Sequence, residues 1–259
     1  MMKKDNLGDR MKGYEHCYRL FLPKNSYVAI RLDGVAFHTY TKGLKRPFDQ
    51  NLMDDMDETT KFLCEKISGV KIGYVQSDEI TLVLSDCDTI DTEPWYGNNL
   101  QKLCSVSSAM ATAKFNQLRG VRELMDARDS GEGMIPSDFV HTKLAYFDAR
   151  VFVLPTESEV YNMLQWRTND ASRNSVSSVA QSLYSHKELH GKSNSEQQEL
   201  IFQKGINWND YPYRSKRGGT FVRTGIKSVR RGDNESIRRF WQAVETPIKW
   251  YENKEQFPI

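Results

Sequence analysis

The chain has 259 residues, of which 39% are hydrophobic and 27% are charged. A chain of this length can bury a large core without disulfides or structural metal, and its composition excludes a disordered protein, a collagen-like repeat and a coiled-coil rod. The 36 lysines and arginines nearly balance the 34 aspartates and glutamates. The net charge of +2 argues against nonspecific coating of nucleic acid, but it conceals any local separation of charge.

The sequence indicates a reducing compartment and contains no membrane segment. The four cysteines are scattered and form no C-x-x-C pair, which is typical of free thiols in the cytoplasm. The amino-terminal residues 1–10 are polar and charged, unlike a signal peptide, and no apolar run approaches the length of a membrane span. We therefore expect a soluble, cytoplasmic protein.

The first part of the chain alternates between predicted strands and helices. Helical spacing of apolar residues predicts helices over residues 9–22, 49–67 and 98–118. β-prone runs predict strands over residues 27–33, 72–76, 80–84 and 140–154, the middle two joined as a hairpin. The order β-α-β-β-α-β is typical of an α+β domain with a split βαβ, ferredoxin-like antiparallel sheet and helices on one face.

The rest of the chain reads as a second lobe. The pattern is helical from Pro155 to about Phe202, and it is followed by an aromatic loop, a basic strand pair and a short helix over residues 236–244. We interpret residues 1–155 as the main domain. Residues 156–259 form an appended helical and basic lobe that does not fold independently.

Two acidic residues follow predicted strands. Asp33 ends the first strand within an Arg-Leu-Asp-Gly sequence, and Asp78 lies in the hairpin. In a split βαβ sheet these strands can lie side by side, so the two carboxylates would repel each other unless a proton or a cation intervenes. Magnesium, which prefers a few carboxylates plus substrate phosphates, fits such a pair, and two ions could serve a phosphoryl transfer. The alternative is that both acids only cap turns.

A second group of residues suits a nucleotide. His38 and Asp49 flank a basic pair that includes Arg46. Arg46 would meet phosphate oxygens and Asp49 would accept a hydrogen bond from an amino group. Lys102, near the start of a predicted helix, could reach a triphosphate. The alternative is an ordinary surface histidine and an exposed helical lysine.

Basic residues are concentrated late in the chain. Residues 211–232 contain seven basic residues and no acidic one, interleaved with aromatic residues and glycines. This composition suits RNA or nucleotide binding, although a basic run can also be only a solvated face. Candidate phosphate or RNA contacts here and in two earlier polar clusters are Arg173, Asn174, Lys192, Arg214, Lys216, Arg217 and Arg223.

Together these residues resemble the tRNA-histidine guanylyltransferase family, including its Thg1-like branch, which polymerises RNA in the 3′-to-5′ direction. The similarity covers most of the chain and is densest over residues 27–115. It rests on motifs that occur in order and at similar spacing, namely Arg31-Leu32-Asp33-Gly34, Phe37-His38, Arg46-Pro47, Asp49 and Gln76-Ser77-Asp78-Glu79.

The resemblance implies a polymerase-like palm in the main domain and tRNA contacts in the appended lobe. It implies that Asp33, Asp78 and the Gly34 carbonyl hold two Mg²⁺ ions, with Glu79 as the catalytic acid beside them. The residues that it implies for nucleotide binding, with ATP and GTP as substrates, are His38, Arg46, Asp49, Ser77 and Lys102. The partners implied are tRNA, nucleoside triphosphates and further copies of the chain in a homotetramer, with no membrane.

The chain departs from the eukaryotic members of the family in three places. Val35 follows the first Asp-Gly where they have arginine, and residues 172–175 stand where they have His-Ile-Asn-Asn. A lysine of theirs is replaced by glutamine near Gln197. These departures favour the Thg1-like branch, which repairs truncated tRNA 5′ ends against the opposite strand, over addition of G−1 to histidine tRNA.

We therefore expect a magnesium-dependent tRNA nucleotidyltransferase. The resemblance implies that ATP or GTP activates the 5′-monophosphate, which the 3′-hydroxyl of an incoming nucleotide then attacks. Two other functions stay open. A nucleotide cyclase with the same palm would form a cyclic product from nucleotide alone, and a noncatalytic RNA-binding protein would use only the basic strand region.

Overall fold

The computed structural model describes residues 6–129, 143–229 and 235–259. In this part of the chain one antiparallel sheet has six strands in the order β4-β1-β3-β2-β5-β6. The strands are β1 (Tyr27–Gly34), β2 (Val70–Gln76), β3 (Glu79–Ser85), β4 (Phe147–Leu154), β5 (Gly219–Val229) and β6 (Glu235–Glu245). The first four follow the predicted β-α-β-β-α-β order, so the ferredoxin-like core of the fold is confirmed.

Eight α-helices surround this sheet in the described ranges. They are α1 (Asn6–His16), α2 (Phe37–Tyr40), α3 (Gln50–Lys66), α4 (Leu100–Asp129), α5 (Glu157–Leu183), α6 (His186–Leu189), α7 (Asn194–Gln203) and α8 (Tyr213–Arg217). Short 3₁₀ helices cover Trp95–Asn98, Trp208–Asp210 and Tyr251–Gln256. None of the described helices is both long and apolar enough to cross a membrane.

One face of the sheet is covered by α3 and α4. Val28, Ile30 and Leu32 alternate along β1 and join one buried cluster with Leu63 of α3 and Phe115 of α4. Alternate residues of a strand lie on the same face, so this spacing sends the first three side chains to one core.

The opposite face of the sheet is covered by α5 and by Trp250. Ala29 of β1, Tyr74 of β2 and Val83 of β3 share a second buried cluster with Leu164 of α5 and with Trp250. The two helices of the β-α-β-β-α-β core thus share one face as expected, and the helix on the other face comes from the appended lobe. Every residue of β3 is buried, and a strand with no exposed side needs a cover on each face of the sheet.

The short helix predicted over residues 236–244 is instead the strand β6. It pairs with β5 along its whole length, from Gly219 opposite Glu245 to Val229 opposite Glu235. The segment carries phenylalanine and tryptophan, which fit a pleated surface well, and Trp241 is buried in the core beside α3. Pairing with the preceding strand decided its structure, and a helical spacing of apolar residues did not.

The first predicted helix ends earlier than expected. Apolar spacing extended it to residue 22, whereas α1 ends at His16. The chain then forms a single bridge from Phe21 to Asn99, and the Leu22 N–H donates to the Asn98 carbonyl at 3.0 Å. These contacts with a distant loop need an extended backbone, which a continued helix would not provide.

The second half of the chain completes the sheet begun by the first half. Strand β5 pairs with β2 from Val222 opposite Ile72 to Gly219 opposite Val75. The far half of α5 packs with α7 and Trp208 around a third buried cluster. The division of the chain at residue 155 stays a prediction.

Candidate active site

The sheet brings Asp33 and Asp78 to the same end. Asp33 lies on β1 opposite Glu79 of β3, and Asp78 sits in the two-residue turn between β2 and β3. Ser77 begins this turn with a φ of 47°, so the turn depends on a residue that tolerates the left-handed region. The predicted hairpin, and the placing of both acids beside one another, follow from this pairing.

Two adjoining cavities of about 560 Å³ each meet at these two acids. We call the cavity that reaches His38 of α2 the α2 cavity. The other, which reaches Arg167 and Asn174 of α5, is the α5 cavity. The residues that line both are Asp33, Pro47, Asp49, Leu52, Ser77, Asp78, Ser178 and Gln181. Such a double cavity can hold two ligands on either side of one acidic pair.

The electrostatics of the acidic pair favour a bound cation. Burial raises the pKa of Asp78, the Ser77 hydroxyl opposes this by hydrogen bonding, and the negative charge of Asp33 raises the pKa further. Within the described residues, no cluster of three or more His, Cys, Asp or Glu side chains could hold a metal by itself. A pair of carboxylates without further protein ligands suits magnesium, which completes its shell with water and substrate phosphates.

The third predicted acid, Glu79, is engaged by arginine. Arg167 of α5 donates from Nε to Oε1 at 2.7 Å and from Nη2 to Oε2 at 2.8 Å. Burial raises the pKa of Glu79, while Arg167 and then Arg31 oppose this shift. With both carboxylate oxygens used in this way, the contacts of Glu79 favour holding the hairpin against α5. A catalytic role for it stays a prediction.

The α2 cavity gathers most of the predicted nucleotide-binding residues. His38, Arg46, Asp49 and Ser77 all line it, together with Lys45. Asp49 also caps α3, because its Oδ1 accepts from the Leu52 N–H at 2.9 Å and its Oδ2 accepts from the Lys45 N–H at 3.2 Å. Asp49 therefore has a structural role at the start of α3 whether or not it also meets a nucleotide.

Lys102 does not reach either cavity. It lies in the first turn of α4, where its Nζ is 5.2 Å from the centroid of the Tyr96 ring. This turn of α4 directly follows Asn99, which bridges to Phe21 shortly before the start of β1. Asp33 lies at the opposite end of β1. Lys102 lines neither cavity, and its contact with a triphosphate stays a prediction.

The α5 cavity is lined by polar residues of which the sequence analysis singled out only one. They recur every three or four positions along one stripe of α5, namely Arg167, Asp170, Asn174, Ser178 and Gln181. Only Asn174 was among the predicted contacts. The signal was present as a polar stripe at helical spacing, but it becomes meaningful only once α5 is known to cross the hairpin.

The predicted basic contacts divide into two groups. Arg214 lines the α5 cavity and pairs with Asp57 at 2.6 Å, whereas Arg173 is exposed and pairs with Asp170 at 3.2 Å. Lys192 precedes α7 and lines neither cavity among the described residues.

The remaining basic candidates lie on other surfaces. Lys216 and Arg217 pack over the rings of Trp208 and Tyr213, at 5.5 and 5.1 Å from the ring centroids. Arg223 lines a separate cavity of about 500 Å³. Two further basic residues of the predicted run, Arg230 and Arg231, lie outside the described residues.

Comparisons with known proteins find relatives over most of the chain. The family model described as tRNAHis guanylyltransferase matches residues 8–155. A bacterial tRNA(His) guanylyltransferase (Thg1)-like protein solved in complex with ATP is 41% identical, with a TM-score of 0.81 over 98% of this chain and 99% of that chain. Its structure in complex with GTP gives 40% identity and a TM-score of 0.77 over the same shares. The Schizosaccharomyces pombe tRNA(His) guanylyltransferase is 26% identical over 83% of this chain and 80% of that protein.

Proposed function

Because this chain belongs to the tRNA(His) guanylyltransferase family and is therefore a nucleotidyltransferase, we propose that it adds nucleotides to the 5′ end of tRNA in the 3′-to-5′ direction, as templated repair. The observation that carries this proposal is the meeting of two cavities at Asp33 and Asp78. A reaction that uses an activating nucleotide and then an incoming nucleotide needs two nucleotide cavities that open onto one metal-binding acidic pair. The ATP and GTP bound by the bacterial relative indicate that nucleoside triphosphates are its substrates.

Asp33, Asp78 and the Gly34 carbonyl would hold two Mg²⁺ ions in this proposal. When bound, such ions make an attacking oxygen more acidic and neutralise a leaving pyrophosphate. The chain itself contributes the two carboxylates and, through Arg167 and Glu79, a fixed position for the hairpin that carries one of them.

We assign the α2 cavity to the activating nucleotide. Arg46 and Lys45 supply positive charge for its phosphates, and His38 and Asp49 supply polar groups for its base or ribose. A 5′-phosphate oxygen of the RNA attacks the α-phosphorus of ATP or GTP, and pyrophosphate leaves. In this step the chain aligns the attacking and leaving phosphate groups, and its basic side chains reduce the repulsion between their negative charges.

The α5 cavity then serves the second transfer. The 3′-hydroxyl of an incoming nucleotide attacks the activated 5′-phosphate, and the activating nucleoside monophosphate leaves. Asn174, Ser178 and Gln181 offer neutral hydrogen-bonding groups, and Arg214 offers a cation already oriented by Asp57. Neutral groups of this kind can accept any of the four bases, which templated addition requires.

Repair is favoured over G−1 addition by the residues that replace eukaryotic motifs. Val35 is exposed, and Arg173 lies on α5 beside the cavity residue Asn174. The greater identity to the bacterial Thg1-like protein points the same way. A cytoplasmic homotetramer completes the proposal.

The test is to supply tRNA with and without its first nucleotide, labelled at the 5′ end, with magnesium and each nucleoside triphosphate. Extension of the truncated tRNA by the base complementary to the opposite strand supports repair. Addition of G only to full-length histidine tRNA would overturn it, and a cyclic product from nucleotide alone would favour the cyclase. Asp33→Ala and Asp78→Ala should abolish addition, whereas Asp88→Ala, which removes an exposed partner of Lys71, is the matched control.

A further inference from the structure

An exposed tryptophan lies against Arg31 and Arg167 and outside both cavities. Trp166 of α5 is 49% exposed. The guanidinium carbon of Arg167 lies 4.4 Å from the centroid of its ring, and that of Arg31 lies 5.5 Å away. Trp166 thus offers about half of a large aromatic side chain to solvent directly beside two cations, a combination that suits stacking of a base.

One side of the Trp166 ring is backed by the protein. The guanidinium groups of Arg167 and Arg31 both approach the Glu79 carboxylate, with nitrogen–oxygen distances of 2.7 and 3.8 Å. The two cations that pack against the ring thus converge on one buried acid. The ring is thus held in place while about half of the side chain stays open to solvent.

The register of the sheet connects the Trp166 ring to Asp33 through Arg31 and Arg150. Arg31 is two positions before Asp33 on β1, so the two side chains lie on the same face. Arg150 of β4 is directly opposite Arg31, is 56% exposed, and places Nη2 3.9 Å from Asp33 Oδ2. Among the described residues, Trp166, Arg31 and Arg150 line neither of the two cavities assigned to nucleotides.

We propose that Trp166 and Arg150 form a stacking platform for the terminal nucleotide of the RNA substrate. A base would stack on the open side of the Trp166 ring, and Arg150 would pair with the adjoining phosphate. Base stacking on an aromatic side chain is tolerant of sequence, which suits an enzyme that must accept different RNA ends. This inference rests on the proposed function, because it supplies the RNA contact that the two nucleotide cavities do not.

The platform predicts a separation between RNA binding and nucleotide binding. Trp166→Ala should raise the KM for truncated tRNA by roughly ten-fold or more, with the KM for ATP within about two-fold of wild type. Trp166→Phe keeps an aromatic face and should restore most of the RNA affinity. Phe202→Ala, which removes a 64% exposed aromatic side chain from α7, is the matched control and should change neither KM.

A spectroscopic readout tests stacking without turnover. An RNA whose terminal base is 2-aminopurine should lose fluorescence on binding the wild type, because stacking quenches this base. The quenching should persist in Trp166→Phe and disappear in Trp166→Ala at RNA concentrations that saturate binding. Arg150→Gln should weaken RNA binding and reduce its dependence on salt by about one phosphate contact.

The outcomes separate this inference from the proposed function. If the wild type extends truncated tRNA while Trp166→Ala binds and quenches the labelled RNA normally, the platform is wrong and the function stands. A Trp166→Ala variant that raises only the KM for ATP would also overturn the platform. If the wild type extends no RNA, the proposed function fails, and the quenching experiment still decides whether Trp166 meets a base.

Discussion

Arg167 and Glu79 form a buried two-point contact, with Nε to Oε1 at 2.7 Å and Nη2 to Oε2 at 2.8 Å. The pair joins the middle of α5 to the residue that directly follows Asp78 in the hairpin. Removing one partner from a buried ion pair leaves an uncompensated charge, which typically costs about 3–5 kcal/mol. The contact therefore fixes both the stability of this region and the position of one proposed metal ligand.

The first prediction separates a positioning role of Glu79 from metal binding. Arg167→Met should lower the free energy of unfolding by about 3–5 kcal/mol, and Arg167→Met combined with Glu79→Met should recover most of it. If Glu79 only positions the hairpin, the double variant should keep a Mn²⁺ affinity within a few-fold of wild type. Denaturant unfolding and Mn²⁺ titration measure the two effects. A large loss of Mn²⁺ affinity in the double variant would instead make Glu79 a ligand.

A control for this experiment is available on the surface. Lys249 and Glu252 pair at 2.6 Å with both side chains more than 60% exposed. Exposed pairs typically contribute about 0–1 kcal/mol, so Lys249→Met should leave both stability and Mn²⁺ affinity nearly unchanged.

The second prediction concerns the repulsion between Asp33 and Asp78. Burial and the neighbouring Asp33 charge disfavour the ionised form of Asp78, as the raised pKa of this carboxyl indicates. In chelator, Asp78→Asn should therefore melt at a higher temperature than the wild type. Added Mg²⁺ should raise the melting temperature of the wild type and leave that of Asp78→Asn almost unchanged. Equal stabilisation of both proteins by Mg²⁺ would count against this site.

The third prediction concerns Gly34, which follows Asp33. A Cβ at this position would lie 2.2 Å from Cδ2 of Phe37, which is itself packed against Phe115 and Phe147. Since the ring has no free space to enter, Gly34→Ala should cost about 1–3 kcal/mol of stability. Gly34→Ala in a Phe37→Leu background should cost clearly less than in the wild type. Equal costs in the two backgrounds, measured by denaturant unfolding, would show that the ring is not the obstacle.

The sequence predicted local structure well where pattern and pairing agree. Alternation over β1 and the turn at Ser77 were enough to bring Asp33 and Asp78 to one end of a sheet. The sequence analysis predicted a helix where β6 lies, because the pairing partner of that segment is β5 and cannot be recognised from the segment itself. The same limit hid Arg167 and Asp170, whose polar positions on a helix acquire meaning only through the hairpin that α5 crosses.

The placing of Lys102 illustrates a different limit. Helical spacing correctly puts it in the first turn of α4, but helix assignment alone does not say which end of the sheet that turn occupies. The contacts of Leu22 and Asn98 fix that end, and they depend on a segment that was predicted to be helical. The position of Lys102 relative to the acidic pair is therefore set by contacts between distant segments, which the helix pattern alone does not contain.

The fourth prediction is a pH dependence at Asp170. Burial alone would raise the pKa of this carboxyl, but hydrogen bonding from Arg173 and the charge of Arg167 lower it below its ordinary 3.8. A lowered native pKa stabilises the fold above pH 3.8 and loses this effect as the pH falls through the native value. Asp170→Asn should thus cost roughly 1 kcal/mol at pH 7, and its difference from wild type should shrink below pH 3.8. Denaturant unfolding across pH 3–7 measures this, and a constant difference would contradict it.

The last prediction distinguishes two roles of Asp49. Its carboxylate caps α3 through Leu52 and also lines the α2 cavity. Asparagine caps helices about as well as aspartate, whereas alanine does not, so Asp49→Ala should lose about 1 kcal/mol. Asp49→Asn should lose less, because its amide oxygen keeps the cap at Leu52 although its amide nitrogen cannot accept from the Lys45 N–H. If Asp49 also accepts a hydrogen bond from the activating nucleotide, both variants should raise the KM for that nucleotide, because the asparagine amide lacks the negative charge. A normal KM in Asp49→Asn together with a raised KM in Asp49→Ala would show that only the helix cap matters. In that case Asp49 would affect nucleotide binding by fixing the start of α3, and its negative charge would play no part.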